Sequence, residues 1–516
     1  RRTEPELWSS AVVVDPTPTD PQGERVTPAA VEDIESIGRK AGRGLKWSLL
    51  GNMVTRIGSF AMGLILARLL TPSDFGMYAI ALAATQFVMN VKDVGIITAT
   101  VQWRGKLAEM APTATTLAFV FSTVLYAIFW VAAPAFAGLA GDPAAAPVVR
   151  LLTAVILIEG VTAVRSGTLM REFRQDRLIL ANMVGLVVNA TVAITMAAGG
   201  AGAYSFAGGQ VAGAAVTGVL IFVFARVPVQ IGLDFAVAAK LLRFGVPLAA
   251  SLAVEAVLMN IQFMIIGRML GPSELGFYLL AFNVSTWALS VISSAVRYVS
   301  VPGFSRLSEQ DPDTLSAGVQ RSLPLLVTSV VPIAVLTSAL APALVVVLYG
   351  GPWAEAAPAL RFLMVLTVVR ILVSFSLDIL MGAGATRSTL WVNLGWAVAV
   401  IPALFVGTKV DGIRGAAIGH AVVGLVVAVP LAAWALHRAG VRLAPIAAAF
   451  VRPLVAGALA GVVALLVRYV AGTNSFVQLS LAGTAGVLAY VAVAVPRERL
   501  RQWLGAIRRQ PAAATD

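Results

Sequence analysis

Cysteine is absent from all 516 residues. That excludes disulfides, thiolate catalysis, iron–sulfur clusters and Cys-type zinc sites together. Histidine is nearly absent: His420 and His437 are the only two, and they do not form an H-E-x-x-H pair. There is no Walker A loop, no G-x-S-x-G elbow and no strand-turn-helix setting for a dinucleotide fingerprint. Neither a cofactor nor a metal is expected, and ATP bound by this chain is not the expected energy source. Charge is the third shortage. Charged residues make up only 12%, against about 25% in ordinary soluble domains. A chain of this length with so little charge cannot cover a water-facing surface.

Apolar residues are abundant instead, at 58%, so the solvent for most of the chain must be lipid. The expected fold class is an all-α polytopic membrane protein, because an open sheet edge does not survive in hydrocarbon. About fourteen apolar spans are readable: 47–70, 76–98, 112–137, 148–169, 178–198, 203–225, 243–267, 276–299, 322–349, 359–381, 388–407, 413–436, 450–470 and 476–495. Residues 1–38 are polar and Pro-containing, with no apolar run behind an N-terminal basic patch. They read as a disordered cytoplasmic tail rather than a signal peptide. The organisation expected after that tail is an N-lobe over 39–240, a C-lobe over 241–440, a last helix pair over 441–496 and a basic cytoplasmic tail over 497–516.

The net charge of +12 is not a nucleic-acid footprint, and no nucleic-acid partner is expected. The basic residues sit in short loops, and they alternate. With the N-terminus inside, the inner loops carry Arg104, Lys106, Arg171, Arg174, Arg177, Arg226, Lys240, Arg243, Arg306, Arg321, Arg387, Arg438, Arg442 and Arg452. The inner C-terminal tail adds Arg497, Arg499, Arg501, Arg508 and Arg509. The outer loops carry fewer: Arg68, Arg150, Arg268, Lys409 and Arg414, with Arg361 and Arg468 near span ends. Both termini are therefore expected in the cytoplasm.

An internal repeat joins spans 1–2 to spans 7–8. Residues 65–81 and 265–281 match at Ile65, Arg68, Leu70, Pro72, Ser73, Gly76, Tyr78 and Ala81, each at an offset of 200. An even number of spans separates the copies, so the two halves run parallel, with a substrate site expected between them near the midplane. Pro72 and Pro272 suit a helix first turn. Thr71 and Asp74 form a capping box. Gly76 and Gly276 permit close helix approach, and Tyr78, Tyr278, Trp47 and Trp353 read as interfacial anchors. Arg68 and Arg268 read as parts of a tight hairpin more than as substrate contacts. Gly209 with Gly213, and Gly415 with Gly419, are small-x-x-x-small packing patterns.

Several stretches together identify a family. They are Lys46-Trp47-Ser48-Leu49-Leu50-Gly51, the run Leu66-Ala67-Arg68-Leu69-Leu70-Thr71-Pro72-Ser73-Asp74-Phe75-Gly76-Met77-Tyr78, Asp93-Val94-Gly95, Ile266-Gly267-Arg268, Val301-Pro302-Gly303-Phe304-Ser305-Arg306-Leu307, and Tyr349-Gly350-Gly351-Pro352-Trp353-Ala354-Glu355-Ala356-Ala357-Pro358. Over about residues 40–440 the chain resembles the Wzx-like polysaccharide transporters, nearest the branch serving colanic and teichuronic acids. That resemblance implies the fold of the multidrug/oligosaccharidyl-lipid/polysaccharide flippase superfamily, two parallel six-helix lobes around a cavity that opens alternately to each side. It implies a flippase in the bacterial inner membrane, not an enzyme. Its expected substrate is a polyprenyl-diphosphate oligosaccharide, moved from the cytoplasmic to the outer leaflet. Its expected partners are that lipid, membrane lipids, and a polymerase and glycosyltransferases of the same pathway. Spans 13 and 14 fall outside the two-lobe core.

Ionisable groups inside spans are costly and therefore functional candidates. A diphosphate needs cations to enter hydrocarbon, and arginine stays charged and presents a planar fork of donors. Arg56, Arg370, Arg165 and Arg297 are the candidates for that head group. Glu255, Glu159 and Asp378 are the candidates for binding a coupling proton or sodium ion. Pairing among these charges, and snorkelling of Lys92, Arg165 and Arg297 to the interface, are the structural alternatives. His420 reads as a packed residue. A multidrug or organic-cation antiporter on the same fold, and a membrane-embedded glycosyltransferase, are the competing functions. The first wants an acidic cavity and the second a large outer loop with carboxylates.

Overall fold

The computed structural model describes residues 51–92, 107–172, 174–225, 231–287, 312–382 and 386–494. Both expected tails lie outside the described residues, as do Trp47, Asp93 and Arg297. Among the described residues, regular structure is helical throughout, as backbone in lipid must satisfy its own hydrogen bonds. The helices are α1 over 51–69, α2 Pro72–Lys92, α3 Leu107–Leu139, α4 Ala146–Thr153, α5 Val155–Arg171, α6 Gln175–Ala198 and α7 Tyr204–Phe224. The second half contains α8 Phe235–Leu270, α9 over 272–287, α10 Pro312–Ala339, α11 Ala341–Tyr349, α12 Ala357–Gly382, α13 Thr386–Val423 and α14 Val429–Arg438. A last pair follows, α15 Ala444–Val470 and α16 Ser475–Ala494.

Nine of the described helical segments are long and apolar enough to cross a membrane. One of them, Ser388–Arg438, joins two expected spans. It is broken within α13, where Asp411 and Gly412 leave helical geometry and Gly412 takes a φ of 55°. Glycine is suited to that left-handed turn because it has no Cβ to clash. A Cβ on Gly407 or Gly415 would overlap the carbonyl of the other, so the two arms fold back with their backbones in contact. Gly209 and Gly213 let α7 lie on α6 in the same way, each facing a backbone carbonyl of the neighbour at 2.7 and 2.6 Å from a would-be Cβ. Large apolar side chains such as Val131, which is 78% exposed, point outward, as lipid contact allows.

Local signals set the helix ends. The Thr71 backbone N–H and hydroxyl donate to the Asp74 carboxylate at 2.9 and 2.7 Å, while the Asp74 N–H reaches the Thr71 hydroxyl at 3.3 Å. This is the expected capping box, and α2 and α9 both start at the repeated prolines. Asp234 caps α8, accepting from the N–H groups of Ala236 and Val237. The last pair packs on the flank of α10. Tyr490 donates to the Thr328 carbonyl at 2.8 Å and Arg468 to the Ala339 carbonyl at 3.1 Å.

Candidate functional site

The repeated segments bring α1–α7 and α8–α14 together at one end of the bundle. Gly76 faces the Pro272 carbonyl and Gly276 faces the Pro72 carbonyl, each so close that a Cβ would overlap it. The two copies are thus reciprocal: each glycine receives the backbone that the other copy's proline begins. The repeated arginines also cross between halves. The Arg68 guanidinium donates to the carbonyls of Val347 at 2.8 Å and Leu348 at 3.1 Å, at the end of α11. Arg268 reaches the Gly138 carbonyl near the end of α3 at 3.4 Å. A cation at a helix C-terminus meets unsatisfied carbonyls and the negative end of the dipole. These arginines therefore clamp the halves together, in keeping with their hairpin reading.

Trp353 completes the seal and corrects one expectation. It is not an interfacial anchor: it is 1% exposed and its indole N–H donates to the Ala67 carbonyl at 2.7 Å. Its ring lies edge-on to Phe75 and Phe277, one from each repeat, at 4.7 and 6.0 Å. Tyr78 and Tyr278 are not anchors either. Tyr278 is fully buried and Tyr78 stacks on Phe206 at 4.1 Å. Both face inward because the halves, not lipid, cover them.

Below this seal lies a cavity of about 430 Å³ between the halves, within the usual range of ligand sites. Tyr349, Phe75, Tyr78 and Phe206 border it near the seal. Asn189 and Gln210, from α6 and α7, and Asn283, from α9, border it further along. Thr55, Arg56, Ser59 and Phe60 on α1, with Thr286 and Trp287 on α9, also line it. Arg56 is 12 residues from Arg68 along α1, roughly 18 Å of helix. Phe60 and Trp287 stack across the halves at 4.3 Å.

Of the seven head-group and ion candidates, Arg297 lies outside the described residues and Glu255 is placed by its helix alone; the others separate in this structure. Arg56 lines the cavity, is exposed within it, and among the described residues makes no ion pair or hydrogen bond with protein. Arg370 lies elsewhere. It sits 5.5 Å over the Phe282 ring, and the Tyr278 hydroxyl beside it donates to Gln262 at 2.9 Å. Tyr278 and Phe282 occupy the face of α9 turned away from the cavity, so Arg370 belongs to the interior of the second half. His420 approaches it there, edge-on to Trp396 at 6.2 Å, its Nδ1 buried and without a partner among the described residues. Arg165 is buried at 2% exposure and lies 3.9 Å over Phe222, inside the first half. Glu159 and Asp378 are half-buried and neither lacks a partner. Glu255 is on α8. Among the described residues no group of three or more metal-ligating side chains occurs.

Sequence reasoning passed over the neutral part of the lining. Asn189, Gln210 and Asn283 are side-chain amides inside apolar runs, where an unsatisfied polar group is costly. That cost is the signal the sequence carries for them, weaker than that of a charge.

Comparison with known proteins follows the same line. A family model described as "Polysaccharide biosynthesis protein" matches residues 65–358, more than half of the chain. The succinoglycan biosynthesis transport protein ExoT of Rhizobium meliloti is 27% identical over 486 residues, covering 92% of this chain and 97% of the relative. The lipopolysaccharide biosynthesis protein WzxC of Escherichia coli is 21% identical, over 76% of this chain and 80% of its own length. Among solved structures, the lipid II flippase MurJ in an inward closed conformation superposes with a TM-score of 0.73 at 12% identity, covering 89% of this chain and 100% of that one. An inward-facing multidrug resistance MATE transporter gives 0.59 at 18% identity, over 75% and 94%. The chain therefore shares its fold with these two structures.

Proposed function

The chain belongs to the polysaccharide biosynthesis protein family, and from that premise we propose that it flips a polyprenyl-diphosphate-linked oligosaccharide from the cytoplasmic to the outer leaflet of the bacterial inner membrane. The observation that carries this reading is Arg56: a cation without a protein partner among the described residues, set in a cavity between two halves that are sealed at one end. The positive-inside pattern supports a sealed end that faces outside, termini that both lie in the cytoplasm, and about fourteen spans. The polyprenyl tail stays in lipid while the head group enters the cavity and the diphosphate takes the Arg56 fork. Parting of the repeated hairpins, with closure at the opposite end, then delivers the head group outward. No bond is made or broken, so the protein acts as a transporter rather than an enzyme. It stands between glycosyltransferases that build the lipid and a polymerase that consumes it.

Arg370, Arg165 and Arg297 enter this scheme as cations that other states of the cycle bring to the head group. Glu255, Glu159 and Asp378 are the groups that would bind a coupling proton or sodium ion. A cation antiporter on the same fold wants carboxylates at its site. Among the described residues the cavity lining contains none, which favours the anionic substrate.

The test is reconstitution in liposomes with a polyprenyl-diphosphate oligosaccharide confined to one leaflet. Protein-dependent appearance on the other leaflet is expected. No transfer, together with ion-driven efflux of a cationic dye, would replace this reading with the antiporter.

A further inference from the structure

The cavity is poor in charge and rich in neutral hydrogen-bonding groups. Arg56 is its single charged side chain among the described residues. Asn189, Gln210 and Asn283 converge on it from three helices, and among the described residues none of the three amides has a hydrogen-bond partner in the protein. The Thr286 hydroxyl is buried and equally without a partner among the described residues. Unpaired amides inside a membrane protein need water or a ligand to satisfy them. Each amide offers both donors and an acceptor, the combination that vicinal hydroxyls complement. The aromatic residues fit the same ligand. The Phe60–Trp287 and Tyr78–Phe206 pairs border the cavity, each ring fixed by its stacked partner at 4.3 and 4.1 Å. The electron-rich face of an aromatic ring accepts the weakly positive C–H face of a pyranose.

We infer that this cavity is a subsite for an uncharged sugar, the one nearest the diphosphate, held by Asn189, Gln210 and Asn283 against the aromatic pairs. The inference rests on the flippase reading and narrows its substrate. Arg56 is used by the diphosphate, so a carboxylate on the proximal sugar would enter without a counter-cation, which is costly in a site of this polarity. Uronic acids and acidic substituents are confined to sugars further from the lipid. The position of Arg56 relative to the seal orders the ligand: diphosphate toward the start of α1, sugar between it and the closed hairpins.

The test is calorimetric binding to the purified full-length chain of three short-chain ligands: a prenyl diphosphate, its neutral hexosyl derivative and its uronosyl derivative. The hexose is expected to tighten binding at least about tenfold over the bare diphosphate, the equivalent of one or two net hydrogen bonds. The uronosyl ligand is expected to bind at least about tenfold more weakly than the hexosyl one. Combined Asn189→Leu and Gln210→Leu should abolish the gain from the hexose. Gly63→Leu should abolish it independently, because a side chain at Gly63 projects into open space rather than into a neighbour and so fills the cavity. Both variants are compared with the parent at matched unfolding temperature. A hexose that adds nothing, or a uronosyl ligand that binds as well as the hexosyl one, overturns the inference. The flippase reading is scored separately: if the wild-type protein does not translocate the hexosyl lipid in liposomes, that reading fails, whereas translocation without sugar-dependent binding overturns only the neutral subsite.

Discussion

At the scale of single residues, what matters is whether a polar group in a span has found a partner. An arginine at a helix centre costs about 2.5–3.5 kcal/mol on insertion scales, and Arg56 recovers none of this from an ion pair among the described residues. The proposed head-group site accounts for its position. Arg56→Ala should weaken binding of a prenyl diphosphate by roughly ten- to a hundredfold, since a charge-assisted hydrogen bond is worth about 1.5–3 kcal/mol. Arg56→Lys should retain part of that affinity, keeping the charge but losing the fork. Titration of the purified variants checks both, and an alanine variant that binds as tightly as the parent would remove Arg56 from the site. Outside the spans, Glu274 in the second hairpin has its carboxyl pushed above the ordinary value of 4.5, first by burial and then by the nearby Glu355. A raised carboxyl pKa favours the protonated folded form. Its stabilising contribution is therefore complete below about 4.5 and is lost as pH rises through the shifted value. Acidification from neutral pH should raise the unfolding temperature, and Glu274→Gln should flatten that dependence while raising the neutral-pH value. Thermal unfolding at a series of pH values measures this.

At the scale of elements, the two repeated hairpins form a mutual lock. The contacts of Gly76 and Gly276 exist only while the halves touch, so a side chain there acts on one state of the cycle. Gly76→Leu should destabilise the sealed state by about 1–3 kcal/mol, the usual cost of overpacking. Trp353→Ala removes the buried indole and its bond to Ala67, a loss of about 3–5 kcal/mol for a core aromatic. A chain without cysteine makes this measurable. A single Gly63→Cys probe in the cavity should react slowly with an impermeant maleimide added outside, and markedly faster when either substitution is added. Unchanged labelling would mean that the hairpins do not seal the cavity. The hairpins also show how much of the site was legible in the sequence. The capping box, the helix-starting prolines and the close-approach glycines are local features, and the sequence alone identifies them. The surroundings of Trp353 come from the first half of the chain, nearly 300 residues away, and those of the two tyrosines from other helices of their own halves, which a local pattern does not show. The amides of the cavity escaped notice because an Asn within an apolar run looks the same whether it faces a neighbour, lipid or a void.

At the scale of the whole molecule, composition and loop charge carried the all-α membrane class, and the offset of 200 between repeats pointed to the meeting of the halves. Which arginine within a span would face the cavity was beyond the sequence. Arg56 and Arg370 have similar settings in their own helices, and only the packing of α9 between them puts one in the cavity and the other behind it. The central claim is that this cavity is the route of the head group. The measurement that tests it most directly is lipid transfer in liposomes by the Gly63→Cys protein, before and after the thiol is capped with a bulky maleimide from the cytoplasmic side. The account predicts near-parental transfer before capping and its abolition afterwards. Transfer that continues with the thiol fully capped would contradict it.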